Sequence, residues 1–306
     1  MNKLLLAAAL AATAPALPAA AKPPALTVQA FQPTRFSVIV EGKGPDVILI
    51  PGLSSPRQVW DATAERLKTT HRVHLVQLKG FGEAAGPNAS GPVLQPFVDQ
   101  LVTYIEANKL QRPAIVGHSM GGLAALMIAT DHPSLPGKLL VVDSLPFIGP
   151  LFGAPNVDAV RPMAEQMRAM LIANAAKATP DFTAPNCPAS LPAPATPKGT
   201  MTNSGQGTCL VRYGATASDL RVVAQAMYDD MMTDLTPRLG AIKAPVTLLY
   251  PQDDRLLTAA MAAKIYADAY VRLPSAKLVP ITGSYHFIMQ DQPAKFRTEL
   301  DAFLKR

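Results

Sequence analysis

The chain has 306 residues, enough for one large α/β domain with an insertion, and its 49% apolar and 16% charged composition excludes an intrinsically disordered chain. The formal charge of +6 is spread without any lysine or arginine run. With no basic cluster, aromatic interleaving or nucleic-acid motif, the charge describes a mildly basic surface and gives no nucleic-acid partner.

In chain order, Met1-Asn2-Lys3 is followed by an alanine- and leucine-rich run and by Ala19-Ala20-Ala21. A basic start, an apolar stretch and a small-x-small end make a secretory leader over residues 1–21, with the mature chain beginning near Lys22. Pro15 and Pro18 interrupt the run before it could span a bilayer, so no stable membrane insertion is expected after cleavage. The expected location is periplasmic or secreted. In such an oxidising compartment the only two cysteines, Cys187 and Cys209, are expected to pair.

Continuous β-branched and leucine-rich runs recur at Val47 to Ile50, Val73 to Leu78, Ala114 to Val116, Leu139 to Val142, Val246 to Tyr250 and Lys277 to Ile281. Runs of this length suit strands covered on both faces, as in parallel sheets. Leu26 to Gln29 and Phe36 to Glu41 could add antiparallel edge strands.

Between the runs lie helical spacings. Ser55 is placed to cap a helix starting at Pro56, with Trp60, Ala64 and Leu67 on one side. Leu94, Phe97, Val98, Leu101 and Ile105 form a second stripe, and Phe296, Leu300, Phe303 and Leu304 a third. Strands alternating with helices predict a mostly parallel sheet with helices on both faces. The alternation stops between Pro146 and Thr236, where helices near Val157 to Ala175 and after Ser218 flank the turn-rich stretch Thr179 to Thr208. The expected organisation is a core of residues 22–146 and 237–306 with a cap over 147–236. Seven of the twelve methionines fall in that cap, either as core packing or as the wall of a pliable, apolar substrate cleft.

Gly117-His118-Ser119-Met120-Gly121-Gly122 lies directly after one strand run and directly before the helical run Leu123 to Thr130. A serine at such a turn is held on strained backbone with its hydroxyl presented outward, and the flanking glycines let strand and helix pass closely. A serine hydroxyl needs a base to take its proton. Of five histidines, His118 is inside the turn, His71, His74 and His132 lie elsewhere, and His286 follows the last strand, where strand C-termini gather. His286 is therefore the expected base. The carboxylate that orients it should follow a strand end: Asp253, Asp254 and Asp143 all do, and the residues alone leave the three open.

Ile50-Pro51-Gly52-Leu53, the turn around Ser119, Tyr250 to Asp254 and Gly283 to Gln290 resemble, in order, the four marker regions of the α/β-hydrolase superfamily. The resemblance implies the α/β-hydrolase fold with an inserted cap, a Ser119-Asp254-His286 triad, and an oxyanion hole from the backbone N–H groups of Leu53 and Met120. Pro51 stands where members often carry histidine, and Pro251 where the acid turn usually has glycine. The resemblance further implies hydrolysis of a small-molecule carboxylic ester through an acyl-enzyme, without cofactor or metal, and the methionine-rich cap makes an apolar ester the expectation. Carbon–carbon bond hydrolysis, small-peptide cleavage, perhydrolysis and a non-catalytic ligand-binding role are the alternatives that the same architecture hosts.

Overall fold

Along each strand, successive side chains point to opposite faces, and that alternation divides the core in two. In the computed structural model, which describes residues 31–194 and 201–305, the chain runs β1 (Phe36–Glu41), β2 (Asp46–Ile50), α1 (Asp61–Leu67), β3 (Arg72–Leu78), α2 (Leu94–Ala107), β4 (Ala114–His118), α3 (Met120–Asp131) and β5 (Lys138–Val142). An insertion follows with α4 (Val157–Ala175), α5 (Gly205–Thr216) and α6 (Leu220–Met231). Then come β6 (Val246–Gln252), α7 (Ala259–Ala269), β7 (Lys277–Thr282), α8 (Ile288–Asp291) and α9 (Pro293–Lys305). The expected leader and the edge strand at Leu26 to Gln29 lie outside the described residues.

The strands form one sheet in the order β1-β3-β2-β4-β5-β6-β7, with only β1 antiparallel. Ile48, Ile50 and Ile115 face one core with Phe97, Leu101 and Ile105 of α2 and Leu126 of α3. Val47, Leu49 and Val116 face the other with Trp60, Leu67, and Phe296, Leu300 and Phe303 of α9. Each such large side chain contributes about 1.5–3 kcal/mol by leaving water, which is why the expected stripes bury as they do. Ser55 does not cap α1: a 3₁₀ turn over Arg57–Trp60 precedes that helix, and the Ser55 hydroxyl donates back to the Leu53 carbonyl at 3.2 Å. Among the described residues, no helix is long and apolar enough to cross a membrane.

Within the insertion, α4 and α6 begin on side-chain caps, Asn156 accepting from the Ala159 N–H at 2.9 Å and Asp219 from the Arg221 N–H at 2.9 Å. Val160, Ala164 and Met231 join Phe147 and Ala154 in a separate small apolar cluster. Helix α5 was not expected from the sequence. It starts on the Ser204 cap, and its Gly214 has no room for a side chain, since a Cβ would lie 2.1 Å from the Ser54 carbonyl oxygen. Close approach rather than helix propensity selects glycine there. Cys187 and Cys209 are bonded, with Cα atoms 5.6 Å apart, tying α5 to the irregular stretch before it.

The insertion is tied to helix α2 by charge as well as by packing. The Asp229 carboxylate of α6 accepts hydrogen bonds from the Val93 and Leu94 N–H groups at 2.7 and 3.0 Å. It thereby satisfies orphan donors at the N-terminus of α2, where negative charge is also favoured.

Candidate active site

Ser119 sits between β4 and α3 with φ 54° and ψ −126°, a left-handed backbone that a serine rarely adopts. The surrounding structure fixes it: its N–H donates to the Val142 carbonyl at 2.9 Å, and its carbonyl accepts from Gly122 at 2.7 Å. Glycine is required on both sides, because a Cβ on Gly117 would lie 2.2 Å from the Gly121 carbonyl oxygen and one on Gly121 would lie 2.4 Å from that of Ile50. The expected strand-turn-helix context is therefore present, and it leaves Ser119 partly exposed at the C-terminal edge of the sheet.

His286 lies in the loop after β7, and its Nδ1 is 2.6 Å from Oδ2 of Asp143. The proton belongs on Nδ1, donated to the carboxylate, which leaves the Nε2 lone pair free to accept another. Asp143 immediately follows β5, itself with a left-handed φ of 46°, a conformation that aspartate tolerates better than most residues. Its other oxygen, Oδ1, accepts a hydrogen bond from the Tyr266 hydroxyl of α7. Burial, followed by the negative charge of Asp143, pushes the Tyr266 phenol well above its ordinary range, so it remains a donor. Tyr270, one turn further, donates to the Ser144 carbonyl at 2.8 Å.

The structure thus gives the place beside His286 to Asp143, in correction of Asp254. Strand β6 stays paired with β7 as far as Gln252 opposite Thr282, so the turn that follows starts beyond the sheet. There Asp253 accepts from the Arg255 backbone N–H and guanidinium at 2.7 to 3.0 Å, closing the turn on itself. Asp254 is exposed and, among the described residues, accepts only from the Gln252 side chain at 3.0 Å.

The loop carrying His286 is held from several directions. Gly283 N–H donates to the Gln252 carbonyl at 2.7 Å, Tyr285 N–H to Asp291 at 2.7 Å, and the Asn203 side chain of the insertion to the Gly283 carbonyl at 2.9 Å. His118, fully buried, donates from Nε2 to the His286 carbonyl at 2.9 Å. Burial, followed by the proximity of His286, drives its basicity well down, so it stays neutral. Its role is to position the loop of His286.

Gly52 lies over Ser119, since a Cβ there would be 2.9 Å from that of the serine. Leu53 follows it, and Met120 opens α3, where the first N–H groups have no partner within the helix. Two cavities meet at this point. One, of about 320 Å³, runs along Ser119, Asp143 and His286 towards Leu256, Ile265 and Tyr266. The other, of about 640 Å³, runs from Ser119 and His286 under the insertion, past Leu53, Phe152, Met167, Met227, Met231 and Phe287. Of the seven methionines of the insertion, Met167, Met201, Met227 and Met231 wall the larger cavity, Met232 packs against the small apolar cluster, and Met163 and Met170, like part of Met201, are exposed.

The comparisons agree with this geometry at the level of fold and class. Relatives include the pimeloyl-[acyl-carrier protein] methyl ester esterases of Vibrio atlanticus, 38% identical over 107 residues, and of Vibrio cholerae, 35% identical over 107. These alignments span 35% of this chain and about two fifths (39% and 40%) of those relatives. Among solved structures, a carboxylesterase of Nitrososphaera gargenis superposes with a TM-score of 0.65 at 18% identity, covering 90% of this chain and 96% of that one. The enol-lactonase of Burkholderia xenovorans gives 0.62 at 18% identity, covering 89% and 96%. The model of the alpha/beta hydrolase family matches residues 47–299, from β2 into α9 and across the whole site, and the chain belongs to that family.

Proposed function

We propose that the protein is a serine hydrolase that cleaves carboxylic esters through an acyl-enzyme. The observation that carries this reading is the 2.6 Å hydrogen bond from His286 to Asp143 in the cavity wall that also holds the strained Ser119. Ser119 Oγ attacks the ester carbonyl carbon while His286 Nε2 takes its proton. Asp143 holds the imidazole in the required tautomer and stabilises the imidazolium, and Tyr266 holds Asp143. The negative oxygen of the tetrahedral intermediate is received by the N–H groups of Met120 and Leu53. The imidazolium returns its proton to the alcohol as the carbon–oxygen bond breaks. Water then attacks the acyl-enzyme by the same route in reverse.

The two cavities that meet at Ser119 suit the two halves of an ester, and their apolar walls favour apolar substituents. The esterase relatives support the ester class. The leader-like N-terminus and the bond between Cys187 and Cys209 support export to an oxidising compartment. Turnover of a series of aryl esters by the wild type and by Ser119→Ala tests the reading. The variant should fold with an unchanged circular dichroism spectrum and lose turnover to background; retained turnover would refute it.

A further inference from the structure

Helix α6 carries two consecutive carboxylates, Asp229 and Asp230, which a helix directs about 100° apart. Asp229 is consumed in capping α2. Asp230 lines both cavities, beside Ser119 and His286, and its carboxyl makes no hydrogen bond with any described residue.

The other carboxylates on these walls are committed. Asp143 is shared between His286 and Tyr266, and Asp253 is bound to Arg255. No lysine or arginine lines either cavity among the described residues. Most of the larger cavity's wall is instead apolar, including Ile148, Leu151, Met227 and Met231. Burial raises its carboxyl to about 7; His286 opposes that rise and Asp229 adds to it. Asp230 is half-buried with its carboxyl open to the cavity, so a ligand that excludes water there must supply the missing hydrogen bond.

Resting on the ester-hydrolase reading, we propose that Asp230 is the substrate-selecting group of this site, accepting a hydrogen bond from a hydroxyl or protonated amine carried by the ester's acyl or alcohol part. An ester whose tail is wholly apolar leaves Asp230 unpaired, and one ending in a carboxylate meets like charge with no lysine or arginine on either wall to offset it. A site that hydrogen-bonds a substrate group discriminates against analogues that lack that group.

The test uses the full chain at mildly alkaline pH with 4-nitrophenyl esters whose acyl tails end in methyl, hydroxyl, ammonium or carboxylate, across a ladder of lengths. Asp230→Asn and Asp230→Leu are compared with the wild type. In Asp230→Leu, kcat/KM on the best hydroxyl and ammonium tails should fall about tenfold relative to the methyl tail. In Asp230→Asn, which keeps the shape and an acceptor oxygen, the ammonium preference should fall about tenfold while the hydroxyl preference survives. The same substituent order in the wild type and both variants would overturn the assignment. Binding of an alkylamine and the matching alkanol, measured calorimetrically on the same three proteins, needs no turnover. Asp230-dependent amine binding without hydrolysis of any ester supports the selecting role while refuting ester hydrolysis. Equal amine binding by all three proteins overturns the selecting role.

Discussion

Replacing Asp143 with asparagine changes one oxygen to an amide and leaves the volume of the side chain nearly unchanged. The carboxylate makes two hydrogen bonds, one from His286 Nδ1 at 2.6 Å and one from the Tyr266 hydroxyl. An asparagine can satisfy one of these donors with its oxygen, but its NH2 group faces the other donor or forces His286 into the tautomer with the proton on Nε2. In that tautomer the imidazole cannot accept the serine proton. The loss in kcat should be about 10³–10⁴-fold, or roughly 4–5.5 kcal/mol of transition-state stabilisation. Asp254→Ala, which removes an exposed carboxylate that accepts from the Gln252 side chain, should change kcat less than about twofold. Steady-state hydrolysis of a short 4-nitrophenyl ester, with thermal melts to verify folding, reads both. A loss below tenfold in Asp143→Asn, or a comparable loss in Asp254→Ala, would refute the assignment of the acid.

Tyr266→Phe removes the second donor to Asp143 and should lower kcat about threefold to thirtyfold with little change in KM, because a hydrogen bond to a charged group contributes about 1.5–3 kcal/mol at most when lost. A raised KM at unchanged kcat would place Tyr266 in substrate binding instead. Removing the Cys187–Cys209 bond, which spans a separation of 22 residues, should cost about 3 kcal/mol in the chain-entropy account. Denaturant melts of the double serine variant test this; unchanged stability would mean that the stretch before α5 is already ordered without it. Asp230 also makes stability depend on pH. Its carboxyl is raised from 3.8 to about 7 in the folded state, so the unfolded chain loses that proton first and the contribution of the protonated form is lost as pH rises from about 4 through about 7. Asp230→Asn should therefore stabilise the protein at pH 8 by about 1–2 kcal/mol, less than the full shift because the group borders open cavities, and should have little effect near pH 4. Equal melting temperatures at pH 8 would contradict this.

The strands were legible because parallel strands buried on both faces must be almost continuously apolar, as Val47 to Ile50 and Leu139 to Val142 are. Helices α2 and α9 were legible through their stripes, whereas α4 buries Val160 and Ala164 and exposes Met163 and Met170. Helix α5 was hidden because its glycines lower helix propensity and are present for close contacts that no local pattern shows. The turn at Ser119 could be read because its whole geometry is local: strand, glycine, serine, glycine, helix. The acid could not. Three aspartates follow strand ends, and the choice among them depends on the left-handed backbone at Asp143, on where β6 stops pairing, and on Arg255 occupying Asp253. Tyr266 and Asp230 were missed for the same reason. Each reaches the site from an element distant in sequence, and the one available hint, two adjacent acids on α6, says nothing about which of them faces the cavity.

The central claim is that Ser119 is an activated nucleophile, and the most direct test is a fluorophosphonate probe followed by intact-mass measurement and peptide mapping. One covalent adduct, located on Ser119 and lost in both Ser119→Ala and His286→Ala, is the predicted result. A folded wild-type protein that takes no label, or one whose label persists in Ser119→Ala, would contradict it.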